Sequence, residues 1–79
     1  MKLSDLEINI PARITSIDST PGVIERLHSV GIFVGSCIET RYRSHAGRPV
    51  CVATEHDCTF ALGYGLAEKI FISKEFIIC

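Results

Sequence analysis

Tryptophan is absent from this sequence, and aromatic residues of all kinds make up only 8% of it. A groove that reads proline-rich peptides is lined with aromatic rings, so that mode of recognition is disfavoured. An excess of positive charge is missing too, the formal net charge being −1. Phosphate neutralisation requires a clear basic excess, which argues against a general nucleic-acid binder. No apolar run approaches the ~20 residues that cross a bilayer, so no direct membrane insertion is expected. The opening "MKLSDLEINIP" has one lysine and no apolar h-region. No signal peptide is therefore expected, and the expected location is cytoplasmic. Internal repeats, low-complexity tracts and linkers are also lacking.

What is present describes one small domain. The 79 residues are 47% hydrophobic and 22% charged. That composition suits a compact fold, and a chain this short buries only roughly 60% of its unfolded surface. Four cysteines (Cys37, Cys51, Cys58, Cys79) could pair in three ways, and none of their spacings is C-x-x-C. With no secretory signal they are expected to be reduced, serving as small apolar fillers or half-exposed strand residues. Arg41, Arg43 and Arg48 lie close together with His45 among them, a pattern that reads as a solvated strand face and turn.

Hydrophobic periodicity places the elements. Leu3 and Leu6 stand one helical turn apart, with Ser4 a candidate cap. Pro11 introduces a strand, "ARITSI", whose Ala12, Ile14 and Ile17 point inward; proline suits only the beginning or edge of such a strand. Thr20 is a suitable N-cap and Pro21 fits the first helical position. The predicted helix runs over 21–30, with Val23, Ile24, Leu27 and Val30 as its apolar stripe. Gly31 ends it in a left-handed conformation, Ile32 tucks back, and Gly35 redirects the chain. From Ser36 the period becomes two, with Ile38, Thr40 and Tyr42 on one face and Cys37, Glu39, Arg41 and Arg43 on the other. Strands "PVCVAT" and "TFALG" follow, with Val50, Val52, Phe60 and Leu62 inward.

Parity constrains the hairpin between these strands. Opposed residues have a constant index sum, and only an even sum puts Val52 and Leu62 on one face. The connection must be odd, and His56-Asp57-Cys58 is the three-residue choice. A helical turn at Leu66 and Ala67 then leads into a last strand at Ile70 to Ile72. The fold class is mainly β: about five short strands in a small, partly open barrel, with one short α-helix inserted after the first strand. The expected core is Ile14, Ile24, Leu27, Ile38, Val52, Phe60, Leu62 and Ile70.

Catalytic chemistry finds little support. Ser, His and Asp all occur, but no strand–turn–helix elbow presents a nucleophile, so no catalytic residue is assigned and the chain reads as non-enzymatic. "GYGLAEK" lacks the glycine spacing and the Ser or Thr of a phosphate loop. His56, Asp57 and Cys58 are weak surface candidates for ferrous iron or zinc, together with Cys51 nearby. Two ligands at a hairpin tip cannot complete a coordination sphere, so no stoichiometric metal is expected in a monomer.

"MKLSDLEINIPARITSI", "IERLHSVGIFVGSCIE", "PVCVAT", "FALG" and "LAEKIFI", in that order, resemble the ferrous iron transport protein A (FeoA) family. The resemblance covers residues 1–72 and leaves 73–79 as a short apolar extension. It implies a Src-homology-3-like barrel that acts as an accessory to ferrous iron uptake, docking on and modulating the FeoB membrane transporter. Leu27, Gly31, Gly35, Leu62 and Ala67 match framework positions. Asn9 stands where the family has a glycine, Val34 where it has a proline, and Arg26 is the helix's single arginine. Those departures fit a divergent paralogue with its own partner surface.

The loop "GIFVG" carries the remaining expectation. Phe33 and Val34 sit between glycines in a short loop, and together with Val23, Leu27 and His28 they are the candidate partner-binding residues. The plain alternative is that Phe33 covers the helix end or the barrel mouth. The apolar Phe76, Ile77 and Ile78 could cover this patch or pair with a second copy, giving a homo-oligomer. A metal-responsive regulatory barrel module is the alternative function, since similar barrels are attached to iron-dependent repressors.

Overall fold

The computed structural model describes residues 1–43, 48–55 and 58–74. Its strands are β1 (Ala12–Ile17), β2 (Cys37–Tyr42), β3 (Val50–Thr54), β4 (Thr59–Leu62) and β5 (Ile70–Ser73). Helix α1 spans Pro21–Ser29, and a single turn, α2, spans Tyr64–Ala67. All strand pairs are antiparallel, and the sheet order is β4-β3-β2-β1-β5. The predicted five strands and inserted helix are all present.

The barrel's inside is filled from every element. Ile14, Leu27, Ile38, Val52, Leu62 and Ile70 are buried as expected, together with Val50, Ile32, Ala67 and Ile72. Leu3 and Leu6 are completely buried as well and were not in the expected core. A 3-10 turn at Leu3–Asp5 delivers them, and a hydrogen bond from Leu6 N to Leu3 O (3.1 Å) closes it. Ser4 does not cap this turn; Lys2 occupies that position, and Ser4 is buried. Phe60 is only partly buried against the core, since β4 is an edge strand.

Arginine 43 is not part of a solvated face. Its guanidinium donates to the carbonyls of Ser4 and Leu6, the latter at 3.0 Å, and so fastens the opening turn to the end of β2. Arg41 is nearer the expectation, exposed and ion-paired to Glu39 at 3.2 Å. His45 lies outside the described residues.

Two bulges explain where side-chain parity departs from simple alternation. Between β1 and β5 the register shifts after Ile14↔Ile72 to Ser16↔Phe71 and Ile17↔Ile70. The extra residue resets the parity, so Ile14 and Ile17 both face the core despite an odd separation. Between β2 and β3, Thr40↔Val52 gives way to Tyr42↔Cys51. Tyr42 is thereby turned outward and is 63% exposed, whereas Thr40, expected on the same face, is fully buried.

The β3–β4 hairpin has the even index sum that parity required: Val50↔Leu62 and Val52↔Phe60. Its turn lies one residue earlier than expected. Thr54 N donates to Cys58 O at 3.0 Å, so Cys58 opposes Thr54 and the three intervening residues are Glu55, His56 and Asp57. His56 and Asp57 are outside the described residues.

One expectation about cysteine is overturned. Cys37 is disulfide-bonded, and only Cys51, half-buried, and Cys58, exposed, are free thiols among the described residues. Absence of a visible export signal says nothing about which thiols the fold brings together.

Candidate functional site

The loop between α1 and β2 is built by two glycines with separate tasks. Thr20 caps the start of α1, its hydroxyl accepting from Val23 N at 3.4 Å, with Pro21 in the first turn. At the other end Gly31 has φ +93°, a left-handed conformation that costs an L-residue roughly 1–2 kcal/mol. Gly31 N donates to His28 O (3.0 Å) and Ile32 N to Leu27 O (2.9 Å). This paired closure brings Ile32 back onto Leu27, and both are in the core. The helix rotation is fixed from its C-terminal end.

Gly35, at φ +96°, occupies the third position of a turn over Phe33–Ser36, where positive φ is needed. The Ser36 hydroxyl donates to Phe33 O (2.7 Å) and accepts from Phe33 N (3.1 Å). Gly35 N donates to Ile14 O (2.8 Å), Ile14 N to Ser36 O (2.9 Å), and the Arg13 guanidinium to Gly35 O. Five hydrogen bonds thus pin a loop whose tip is apolar: Phe33 is 38% exposed and Val34 59%.

The Phe33 ring stacks on His28 of α1, centroids 4.8 Å apart and planes 24° apart. Beside them Pro21, Ile24, Glu25, His28 and Ser29 line a shallow depression on the outside of the helix. His28, Phe33 and Val34 therefore lie together on the surface, as the sequence suggested. Leu27 does not join them, because it is buried, and Val23 packs against the core. Ile24 takes the reverse course: expected inside, it lines the outer depression. Val30 is also outside, 38% exposed. Two i, i+4 pairs were available on the helix, Val23/Leu27 and Ile24/His28, and the Ile32-to-Leu27 closure selects the first as inward. A reading that placed Ile32 on Leu27 could have chosen correctly.

This surface presents an aromatic and an aliphatic side chain on a hydrogen-bonded loop, with Glu25, Arg26 and Ser29 exposed on the neighbouring helix. Among the described residues no group of three or more His, Cys, Asp or Glu side chains could hold a metal ion. Of the metal candidates, Cys58 is exposed and Cys51 half-buried, while His56 and Asp57 lie outside the described residues. No helix among the described residues is long and apolar enough to cross a membrane.

A five-stranded antiparallel barrel with one helix inserted after its first strand defines the class as small Src-homology-3-like barrels. The FeoA domain family model matches residues 1–74, and the chain belongs to that family. A solution structure of FeoA protein from Chlorobium tepidum is 28% identical, with a TM-score of 0.80 over 91% of this chain and 68% of that one. A zinc complex of FeoA from Stenotrophomonas maltophilia is 23% identical, with a TM-score of 0.75 over 92% of this chain and 89% of that one. That protein is described as a prokaryotic SH3 domain protein and a candidate ferrous iron transport activating factor. A manganese-dependent transcriptional repressor in complex with manganese shares the fold at 22% identity and a TM-score of 0.80, over 92% of this chain and 35% of that one. No curated protein matches the sequence.

Proposed function

We propose that this chain is a non-enzymatic accessory protein of ferrous iron uptake that docks on the cytosolic part of a FeoB-type membrane transporter and modulates it. The observation that carries this reading is the His28–Phe33–Val34 surface, an apolar anchor held out on a hydrogen-bonded loop. Membership in the FeoA family supports the iron-uptake setting. Fully burying a Phe side chain is worth ~1.5–3 kcal/mol, and Phe33, still 38% exposed, has roughly a third of that to gain on docking. Leu27 and Val23 act behind the surface by fixing the angle of α1.

Co-purification with the transporter, expressed in the same cells, tests the reading. Phe33→Asp is expected to abolish co-purification and iron-uptake support while keeping a cooperative melt within roughly 5 °C of the parent. Val34→Asp, at the more exposed neighbour, provides the same test should Phe33→Asp fold poorly. Folded variants that still co-purify would overturn the docking site. A metal-responsive regulatory module remains the second reading, favoured by the shared fold of the manganese-dependent repressor. Tight ferrous iron or zinc bound one per chain, lost in His56→Ala or Cys58→Ala, would replace docking with that reading.

A further inference from the structure

The two edges of the sheet, β5 and β4, are treated differently. The opening residues take up the β5 edge: Lys2 bridges Phe71, and Ile72 N donates to Met1 O at 2.8 Å. The hydrogen-bond pattern of the hairpin shows what β4 leaves open. Antiparallel partners alternate between pairs that exchange both backbone bonds and pairs that exchange none. Thr54 N donates to Cys58 O at 3.0 Å, so Thr54 and Cys58 are a pair of the first kind. Val52↔Phe60 and Val50↔Leu62 are then of the same kind, and Ala53↔Thr59 and Cys51↔Ala61 of the second. The N–H and C=O of Thr59 and Ala61 therefore point away from β3. No described residue bonds to them. The strand Thr59–Leu62 also carries no charge, proline or bulge, the devices that blunt an exposed edge.

We propose that β4 pairs with β4 of a second copy, antiparallel across a two-fold axis, so that one sheet runs through a closed homodimer. Side-chain faces and hydrogen bonding fix the register. Phe60 and Leu62 share one face of β4 and Thr59 and Ala61 the other, so only an even index sum keeps the faces continuous. A sum of 120 opposes Thr59 to Ala61 of the second copy, twice over, and both residues present outward groups. Each such pair exchanges two bonds, so every outward N–H and C=O of Thr59 and Ala61 is engaged. A sum of 122 would call on the Gly63 carbonyl, which already accepts from Leu66 N and Ala67 N.

The same register sets Phe60 directly opposite Phe60 of the second copy, in a pair whose Cα atoms are ~4.5 Å apart. Phe60 is half-buried against its own core, and the second ring covers the part that faces water. A foreign strand would meet the backbone bonds alone. The opposed phenylalanines and the absence of charge across the axis fit this segment to itself. Because the β5 edge is occupied, the described residues offer no second pairing site, and association stops at two. The dimer uses none of the residues of the docking surface and stands apart from that reading.

Sedimentation equilibrium of the full chain, from micromolar to millimolar concentration, tests the dimer; a dithiol reductant excludes disulfide-linked copies. A monomer–dimer equilibrium is expected. Ala61→Pro loses an N–H that makes no bond within the chain, so the strand tolerates it, yet it removes two of the intermolecular bonds. Its dissociation constant should rise roughly tenfold or more. Thr59→Lys/Ala61→Lys sets lysines opposite one another and should be monomeric, and mixing it with Thr59→Glu/Ala61→Glu should restore a dimer. That rescue separates lost pairing from lost folding. A monomer at every concentration, a dimer indifferent to these substitutions, assemblies larger than two, or a mixture that stays monomeric would each overturn the proposal. Amide exchange reads the register: Thr59 and Ala61 should slow as the dimer forms, Phe60 and Leu62 being bonded to β3 already. Slowing that extends to Gly63 would reject the register of 120.

Discussion

Val23 and Ile24 are neighbours on one helix and have opposite fates. Val23 lies with Leu27 against the core, while Ile24 lies with His28 along an outer depression. A nine-residue helix resting on a small barrel can bury only one narrow stripe, and α1 has more apolar residues than that stripe holds. Packing alone would have allowed either i, i+4 pair to turn inward. The closure at Gly31 decides, because Ile32 must return onto Leu27. Val30, Phe33 and Val34 are then left exposed, with Ile24 half-buried beside the outer depression, and a surface of that kind is where recognition is expected. The inner face holds the fold together; the outer face is available for a partner.

The sharpest way to break this contrast is Leu27→Ala. Removing a buried leucine should cost ~2–5 kcal/mol in urea unfolding, a large share of a small domain's stability. A loss well under 1 kcal/mol would mean that α1 is peripheral and that its inner face is no different from its outer one. Arg43→Met comes next. It removes two charge-assisted hydrogen bonds to Ser4 and Leu6 carbonyls while keeping the aliphatic stem. Bonds to charged groups contribute about 1.5–3 kcal/mol, and a drop of that size, with Leu3 and Leu6 amides exchanging faster, is expected. An unchanged exchange pattern would show that the opening turn holds its place without the arginine.

Much of this arrangement was legible in the sequence because local chemistry dictated it. Thr20, Pro21, Gly31 and Gly35 announced the helix and its loop, and alternation announced β2 through β4. Asn9, standing where the family has a glycine, has φ +64°, a left-handed conformation that asparagine tolerates. The even index sum of the hairpin followed from facing Val52 and Leu62 inward, yet its value did not. Sums of 112 and 114 both satisfy parity, and the observed register, continued by the Thr54–Cys58 hydrogen bond, is the first. Bulges near Thr15 and Arg41 were hidden because no residue type marks them, so Tyr42 was put on the wrong face. Arg43 looked solvated because its carbonyl acceptors lie 37 and 39 residues away along the chain. In the candidate site, glycine spacing identified the loop and its apolar tip. The rotation of α1 was missed because it depends on one tertiary contact, Ile32 on Leu27.

The two glycines sharpen the contrast at an intermediate energy. A Cβ at Gly31 would sit 3.7 Å from Thr54, an ordinary contact, and a Cβ at Gly35 would meet open space. Crowding therefore adds little, and both Gly31→Ala and Gly35→Ala should cost roughly 1–2 kcal/mol through φ alone. They should differ in what else moves. Gly31→Ala is expected to disturb the Leu27 and Ile32 methyl resonances, and Gly35→Ala those of Val34 and the Phe33 ring. Identical perturbation of both sets would mean that helix end and loop tip are one mechanical unit.

The smallest effect belongs to the outer face itself. Phe33 keeps 38% of its surface in water and touches His28 through a stacked ring, so its truncation leaves no enclosed cavity. Phe33→Ala should therefore cost only about 0.5–1 kcal/mol, the scale of an aromatic pair. Most of that loss should be shared with His28→Ala, giving a double-mutant coupling of about 0.5 kcal/mol. Ile24→Ala, on the same face and outside the ring pair, should show no coupling to Phe33. The decisive comparison is with Leu27→Ala in the same urea series. A Phe33→Ala loss of 2 kcal/mol or more would place the ring in the core's energetics, and the division between a structural and a recognition face of α1 would fail. A loss under 1 kcal/mol, coupled to His28 alone, would mean that this apolar surface contributes little to folding and is free to serve a partner.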